Sequence, residues 1–176
     1  MSYIKVDIKP KSINQLRKEN PDLFYELSWY DKEKFATTKP KAETLYICPQ
    51  VNGSPDKTWD EQQVGNGGPN LTVPTANQLI QCLIAHYEET GERLLGATYS
   101  RTNDVDSDGS RVYVGDFDAD GLVVSYCWDD FRYSGLGLAS SRKSPGTSSI
   151  ESLEPVDPVE LSVVINGVTY VPKREE

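Results

Sequence analysis

The chain has 176 residues, a formal net charge of −9 and a sequence pI near 4.7, a length that most simply holds one domain around a continuous core. That acidity, with no Lys/Arg cluster beyond a short run at 32–41, argues against an electrostatic grip on nucleic acid or on an anionic membrane. No stretch approaches the roughly 18 apolar residues of a membrane span, and MSYIKVDIKPKS lacks the apolar centre of an export signal, so the expected location is the cytosol or a particle assembled there.

Residues Tyr3 to Ile8 alternate as a strand does, ended by Pro10. A short helix is expected from Ser12 or Asn14, and FYELSWY at 24–30 reads as an aromatic strand or packing segment. Leu45 to Cys48 is a further short strand. From Gln50 to Pro74 the chain is rich in turn formers and reads as a long connection anchored by Trp59. The next helix is the clearest local element. Thr75 caps it, Gln78 completes a capping box, Leu79, Ile80, Leu83, Ile84 and Tyr87 make one apolar face, and Gly91 stops it. His86 lies beside that face with no acid or cysteine in register, as a surface or packing residue does.

Val112 and Val114 then alternate with Arg111 and Tyr113, and Leu122 to Trp128 alternate again beyond a DADG turn at 118–121, which predicts a hairpin. Gly135 to Ala139 reads as a final core strand. Beyond residue 143 the composition changes to a Pro/Ser/Glu linker and a small C-terminal hairpin with an Asn166-Gly167 turn. The expected division is therefore a domain over 1–143 and a linker plus hairpin over 144–176. Alone such a hairpin is marginal, so it is expected to pack back on the domain, to swap with a neighbour in a homo-oligomer, or to serve as an attachment tag.

Within this order, the stretch from Tyr99 to Arg142 has its own composition. It contains eight Asp and no Glu, four Arg and no Lys, and also no Gln, Met, Pro, Ile or His, whereas outside it Glu outnumbers Asp and Lys outnumbers Arg. Glu and Lys suit an exposed surface as well as Asp and Arg do, so protein physics gives little reason for the bias. Codons ending in a pyrimidine do give one: they cannot encode Glu, Lys, Gln, Met or Trp. Trp128 is the single residue of the window outside their reach.

Catalytic patterns are not found. There is no G-x-S-x-G, no H-E-x-x-H, no phosphate loop before a helix and no Cys with a His partner. The adjacent acids Asp129 and Asp130 have nothing local to shift either pKa. Cys48, Cys82 and Cys127 lie far apart, in neither disulfide nor zinc spacing, and read as free buried thiols. Two D-x-D-x-D-G runs, at Asp104-Asp106-Asp108 and at Asp116-Asp118-Asp120, suit a hard cation in part, but Gly115 and Cys127 stand where a calcium loop places its bidentate acid. Asp116, Asp118 and Asp120 are the calcium candidates; otherwise no cofactor is expected. The segment from Tyr126 to Ser134, rich in Tyr, Trp, Arg, Asp and Ser, has the composition of a paratope, although Trp128 and Phe131 could equally be core.

Taken together, Leu71-Thr-Val-Pro-Thr75 opening a helix, Gly96-Ala-Thr-Tyr-Ser100, Val112-Tyr-Val-Gly-Asp-Phe117 and Gly135-Leu-Gly-Leu-Ala139 resemble, in order, the motifs of the C-type lectin-like fold in its formylglycine-generating-enzyme branch. The resemblance covers about 71–142. It departs at Gln78 and Leu79 where an acid is usual, at Tyr99-Ser100 where Trp-Ser is usual, and at Leu138 in place of an Arg. That branch includes the variable proteins of diversity-generating retroelements, whose adenine-directed randomisation of AAY codons yields only pyrimidine-ended codons. The resemblance therefore implies the same bias that the window shows, and the short NGVTYVP ending is similar to tails of viral proteins, which implies a place in the cytoplasm of a host or on a virion surface, with virion attachment through the C-terminal hairpin.

The expectation is an α+β, C-type lectin-like domain with small antiparallel sheets and one or two helices. It would bind a protein or cell-surface ligand noncovalently and would not be an enzyme. The variable binding face would comprise Asn103, Asp104, Asp106, Asp108, Arg111 and Tyr113, then Tyr126, Asp129, Asp130, Arg132, Tyr133 and Ser134. Trp128 and the Gly/Leu strand would be fixed scaffold. A calcium-dependent carbohydrate lectin, a viral assembly protein and, last, an enzyme of the sulfatase-modifying branch are the alternatives.

Overall fold

The computed structural model describes residues 2–66 and 70–143, together with the backbone of 163–165 and 168–170. Two compact units divide at 144/145.

In the first unit, β1 (Ile4–Ile8) turns through Lys9–Ser12 into α1 (Ile13–Glu19), whose capping box is Ser12 with Gln15. Buried Ile13 and Leu16 dock it on the core. The aromatic segment at 24–30 forms no strand. Phe24 makes a single bridge to Leu122, Tyr25 N donates to Leu122 O at 3.0 Å, and Trp29 Nε1 donates to Val124 O at 2.9 Å. Its packing role is to cover backbone groups along an otherwise open sheet edge.

After the single-turn helix α2 (Lys34–Thr37) comes β2 (Glu43–Cys48), which pairs antiparallel with β1, Val6 opposite Leu45. The long connection at 50–74 contains a helix, α3 (Trp59–Gly65), whose capping box is Thr58 with Glu61. Next, α4 (Ala76–Thr90) starts at the Thr75–Gln78 capping box and ends at Gly91, with φ +73°. Leu79, Ile80 and Leu83 are wholly buried and Ile84 nearly so. Each such side chain contributes about 1.5–3 kcal/mol by leaving water, so the face, more than intrinsic helix propensity, holds α4 in place.

The window supplies all four strands of the second sheet. β3 (Tyr99–Val105), β4 (Arg111–Asp118) and β5 (Gly121–Cys127) are antiparallel neighbours, and β6 (Leu136–Leu138) lies parallel to β3, in the order β5-β4-β3-β6. The second sheet is thus mixed where an antiparallel one was expected. β7 (Ser140–Lys143) returns to the first sheet and completes the order β1-β2-β7. The core lies between the two sheets and α4, with Val112, Val114, Phe117, Leu122 and Val124 contributed by the hairpin. A bulge between Gly115 and Asp118 sets Asp116 at φ +48°, and its N–H donates to Thr98 O at 2.9 Å.

The architecture is α+β. In the second unit, β8 (Val163–Ile165) pairs antiparallel with β9 (Val168–Tyr170). The expected linker at 144–162 and the Asn166-Gly167 turn lie outside the described residues.

Candidate ligand-binding face

Strand pairing puts Tyr99 and Arg101 of β3 opposite Gly115 and Tyr113 of β4, and Arg111 opposite Cys127 of β5. Because side chains alternate, these residues share the sheet face that turns away from the hairpin's core valines. The centre of this face is a buried guanidinium. Arg101 has no solvent exposure, and its Nη1 donates to Lys57 O at 2.9 Å and to Gln62 Oε1 at 3.0 Å, while Nη2 donates to Phe131 O. Gln62, also buried, donates in turn to Ser54 O and Leu136 O. Burying a charge is costly unless its donors are met, and here three carbonyl oxygens accept from the two terminal nitrogens, while Nε has no partner among the described residues. The result ties α3, β6 and the 128–134 turn to β3.

Arg111 lies over the same face, toward solvent. Its guanidinium stacks 3.8 Å above the Trp59 ring, and Nε and Nη2 donate to the two Asp129 carboxylate oxygens at 3.2 and 3.3 Å. Trp59 N donates to Asp129 O at 2.8 Å, so the start of α3 holds the turn from the other side. Arg132 reaches Glu61 at 2.7 Å. The Thr58 N–H first, and Arg132 after it, hold the Glu61 carboxyl below the ordinary range. Tyr99, Tyr113 and Tyr133 form a ring series with centroids 5.2 and 6.4 Å apart. Tyr99 Oη donates to Asp116 Oδ2 at 3.0 Å, and burial together with that carboxylate pushes its phenol up to about 12.

The residues expected to bind fall into two places. Asp129, Asp130, Arg132, Tyr133 and Ser134 stand exposed along one turn, with Tyr133 46% and Phe131 45% exposed. Trp128, expected as fixed scaffold, is 74% exposed. Strand β5 ends at Cys127 and a turn closes with Phe131 N donating to Trp128 O at 3.2 Å, so the alternation that would have buried Trp128 stops one residue before it. Tyr126, 50% exposed, points to the opposite face and packs its ring 4.8 Å from that of Trp29.

The second group lies at the start of α4 and in the β3–β4 turn. Asp104 Oδ2 accepts from Ala76 N at 2.7 Å; burial raises this carboxyl's pKa, against the lowering pull of that N–H and of Arg111. Asp106 Oδ1 accepts from the 108 and 110 amides and so builds the turn. Asp104 and Asp106 therefore serve the scaffold, whereas Asn103 and Asp108 are exposed. Asn103, Asp104, Val105, Lys34, Phe35 and Thr75 line a groove of about 330 Å³. Arg111 and Tyr113 are half-buried and belong to the first place.

The acids named for calcium are dispersed: Asp116 faces Tyr99, and Asp118 Oδ1 accepts from the Asp120 N–H. Among the described residues no three carboxylate, imidazole or thiol groups come close enough to hold a metal ion. Cys48 and Cys82 are buried and free; Cys127 is only half-buried and lies beside Arg101.

Sequence reasoning passed over Trp59 as a face residue, Gln62 and Arg101. The signal for the first two was the Thr58-x-x-Glu61 capping box inside a turn-rich stretch. For Arg101 there was none, since an Arg in a polar run reads as exposed. Comparison with protein-family models, with curated proteins and with solved structures finds no match to the chain.

Proposed function

We propose that this protein binds a protein or cell-surface ligand noncovalently, presenting a diversified surface on a C-type lectin-like scaffold, and catalyses no reaction. One observation carries the reading: three large aromatic side chains, Trp128, Phe131 and Tyr133, are 45–74% exposed within six consecutive residues, among Asp129, Asp130 and Arg132. Exposed aromatic clusters rimmed by charge mark interaction surfaces, since rings left in water gain most when a partner covers them.

The biased composition supports diversification of this same stretch. Asp129, Asp130, Arg132, Tyr133 and Ser134 can change without touching the core, whereas Val112, Val114, Leu122 and Val124 in the same window are buried. In support of a lectin-like scaffold, the first and last strands of the unit share one sheet through β2, while the window's hairpin occupies the other.

Sequencing the gene with its flanking DNA tests diversification. A near-copy of the 99–142 coding segment that differs only at adenines is expected, and its absence, with Asp and Arg codons like those elsewhere in the gene, would defeat that part. Binding by the face is tested with the triple variant Tyr126→Ala, Asp130→Asn, Tyr133→Ala. Ligand capture that survives these changes in a folded protein would defeat it.

A further inference from the structure

The face already contains one worked example of how it takes up a cation. Arg111 is stacked on an aromatic ring, Trp59, and held by the two oxygens of a carboxylate, Asp129. A guanidinium over an indole with its edge nitrogens on a carboxylate combines ring-quadrupole attraction with charge-assisted hydrogen bonds. The same two residue types stand again in the same turn, at Trp128 and Asp130. Trp128 is 74% exposed and Asp130 is exposed, and neither side chain has a partner among the described residues.

The surrounding charge agrees. Segments 56–61 and 126–134 carry Asp56, Asp60, Glu61, Asp129 and Asp130 against Lys57 and Arg132, with Arg101 and Arg111 behind them; Glu61 takes Arg132 and Asp129 takes Arg111, which leaves Asp130 without an ion pair among the described residues. The whole chain is at −9. An anionic glycan or acidic peptide meets repulsion at such a place, and a cation meets attraction from both the near and the far field.

We propose that the Trp128–Asp130 turn docks an arginine- or lysine-bearing segment of a partner protein, the incoming cation stacking on Trp128 and pairing with Asp130 as Arg111 does on Trp59 and Asp129. This rests on the binding role of the face and adds the chemistry of its ligand.

The test uses the full chain and two fluorescent peptides of equal length, one alternating Arg with Gly and one alternating Glu with Gly, followed by anisotropy at low and at physiological salt. The Arg peptide is expected to bind, more weakly as salt rises, and the Glu peptide not to bind. Trp128→Ala and Asp130→Asn should each weaken the Arg peptide by roughly three- to tenfold, with Trp128→Phe retaining most of the affinity. Both positions are exposed, so thermal midpoints should match the wild type. Asp22→Asn, an exposed acid of another segment, controls for bulk charge. Equal weakening by Asp22→Asn and Asp130→Asn, equal binding of both peptides, or no binding of the Arg peptide would overturn the proposal. If a captured protein ligand is lost in the triple variant while the Arg peptide fails to bind, the cationic ligand is wrong and the binding face stands.

Discussion

Arg101 Nη1 donates to Gln62 Oε1 at 3.0 Å in an interior that excludes water from both side chains. One residue comes from the compositionally biased window and the other from α3, outside it. Their contact is where the two parts of the face are joined.

Removing the guanidinium strands acceptors on Lys57, Gln62 and Phe131, each at a cost of about 1–3 kcal/mol when buried and unmet. Arg101→Met should therefore destabilise the protein by at least about 3 kcal/mol in urea unfolding. Arg101→Lys, with a single donor centre, should fall between. A loss under about 1 kcal/mol for Arg101→Met would mean that the 128–134 turn stands without it.

Asp104 gives a pH signature. Burial raises its folded-state pKa above the ordinary 3.8, so the folded chain holds this proton more tightly than the unfolded one. Its contribution to stability is largest below the ordinary value and is lost as pH rises through the raised folded value. Asp104→Asn keeps an acceptor for the Ala76 N–H and avoids the buried charge. The variant should match or exceed wild-type stability at neutral pH, and lose that advantage as pH falls toward 4. Thermal midpoints across that range check it; an advantage that grows on acidification would refute the assignment.

The thiols should separate by reactivity. Burial, and then neighbouring Cys48, push Cys82 up to about 12, and burial raises Cys48 as well. Only Cys127 is half-exposed. A thiol reagent should label the native protein slowly at Cys127 alone, with the other two appearing on unfolding, as mass spectrometry of the digested protein would show.

Two glycines should differ sharply. A Cβ on Gly115 would stand 2.1 Å from Thr98 O and 2.6 Å from Tyr99 Cα, so β3 and β4 could not keep their spacing. On Gly109, at φ +86° in the β3–β4 turn, it would meet nothing within 4 Å. Gly115→Ala should cost about 3 kcal/mol or more, Gly109→Ala about 1 kcal/mol from backbone strain alone. Urea midpoints compare them directly.

How much of this could be read from residues depends on whether the local signal and the tertiary outcome agree. In α4 they agree at every point, cap, face and stop, and the helix is where the sequence places it. The hairpin is legible for the same reason, with Val112, Val114, Leu122 and Val124 on one parity. β3 was hidden because Ser100, Arg101 and Thr102 are polar and yet buried; the Arg101 terminal nitrogens and Thr102 Oγ1 meet acceptors that no local pattern names, and Ser100 Oγ has no partner among the described residues. β7, Ser140–Lys143, is polar and earns its place only by pairing with β2. The turn at 128–134 stood out by composition, but the exposure of Trp128 depended on where β5 ended.

The pairing of Leu45 with Lys143 also bears on how such a protein is made. During synthesis β2 emerges about a hundred residues before the strand that covers its free edge, and the chain between, including residues 99–139 of the window, must be in place before that strand can arrive. A chain whose altered window cannot fold leaves β2 open, a target for chaperones and proteases. Under the proposed diversification, a version of the surface would persist only where its scaffold lets this strand close.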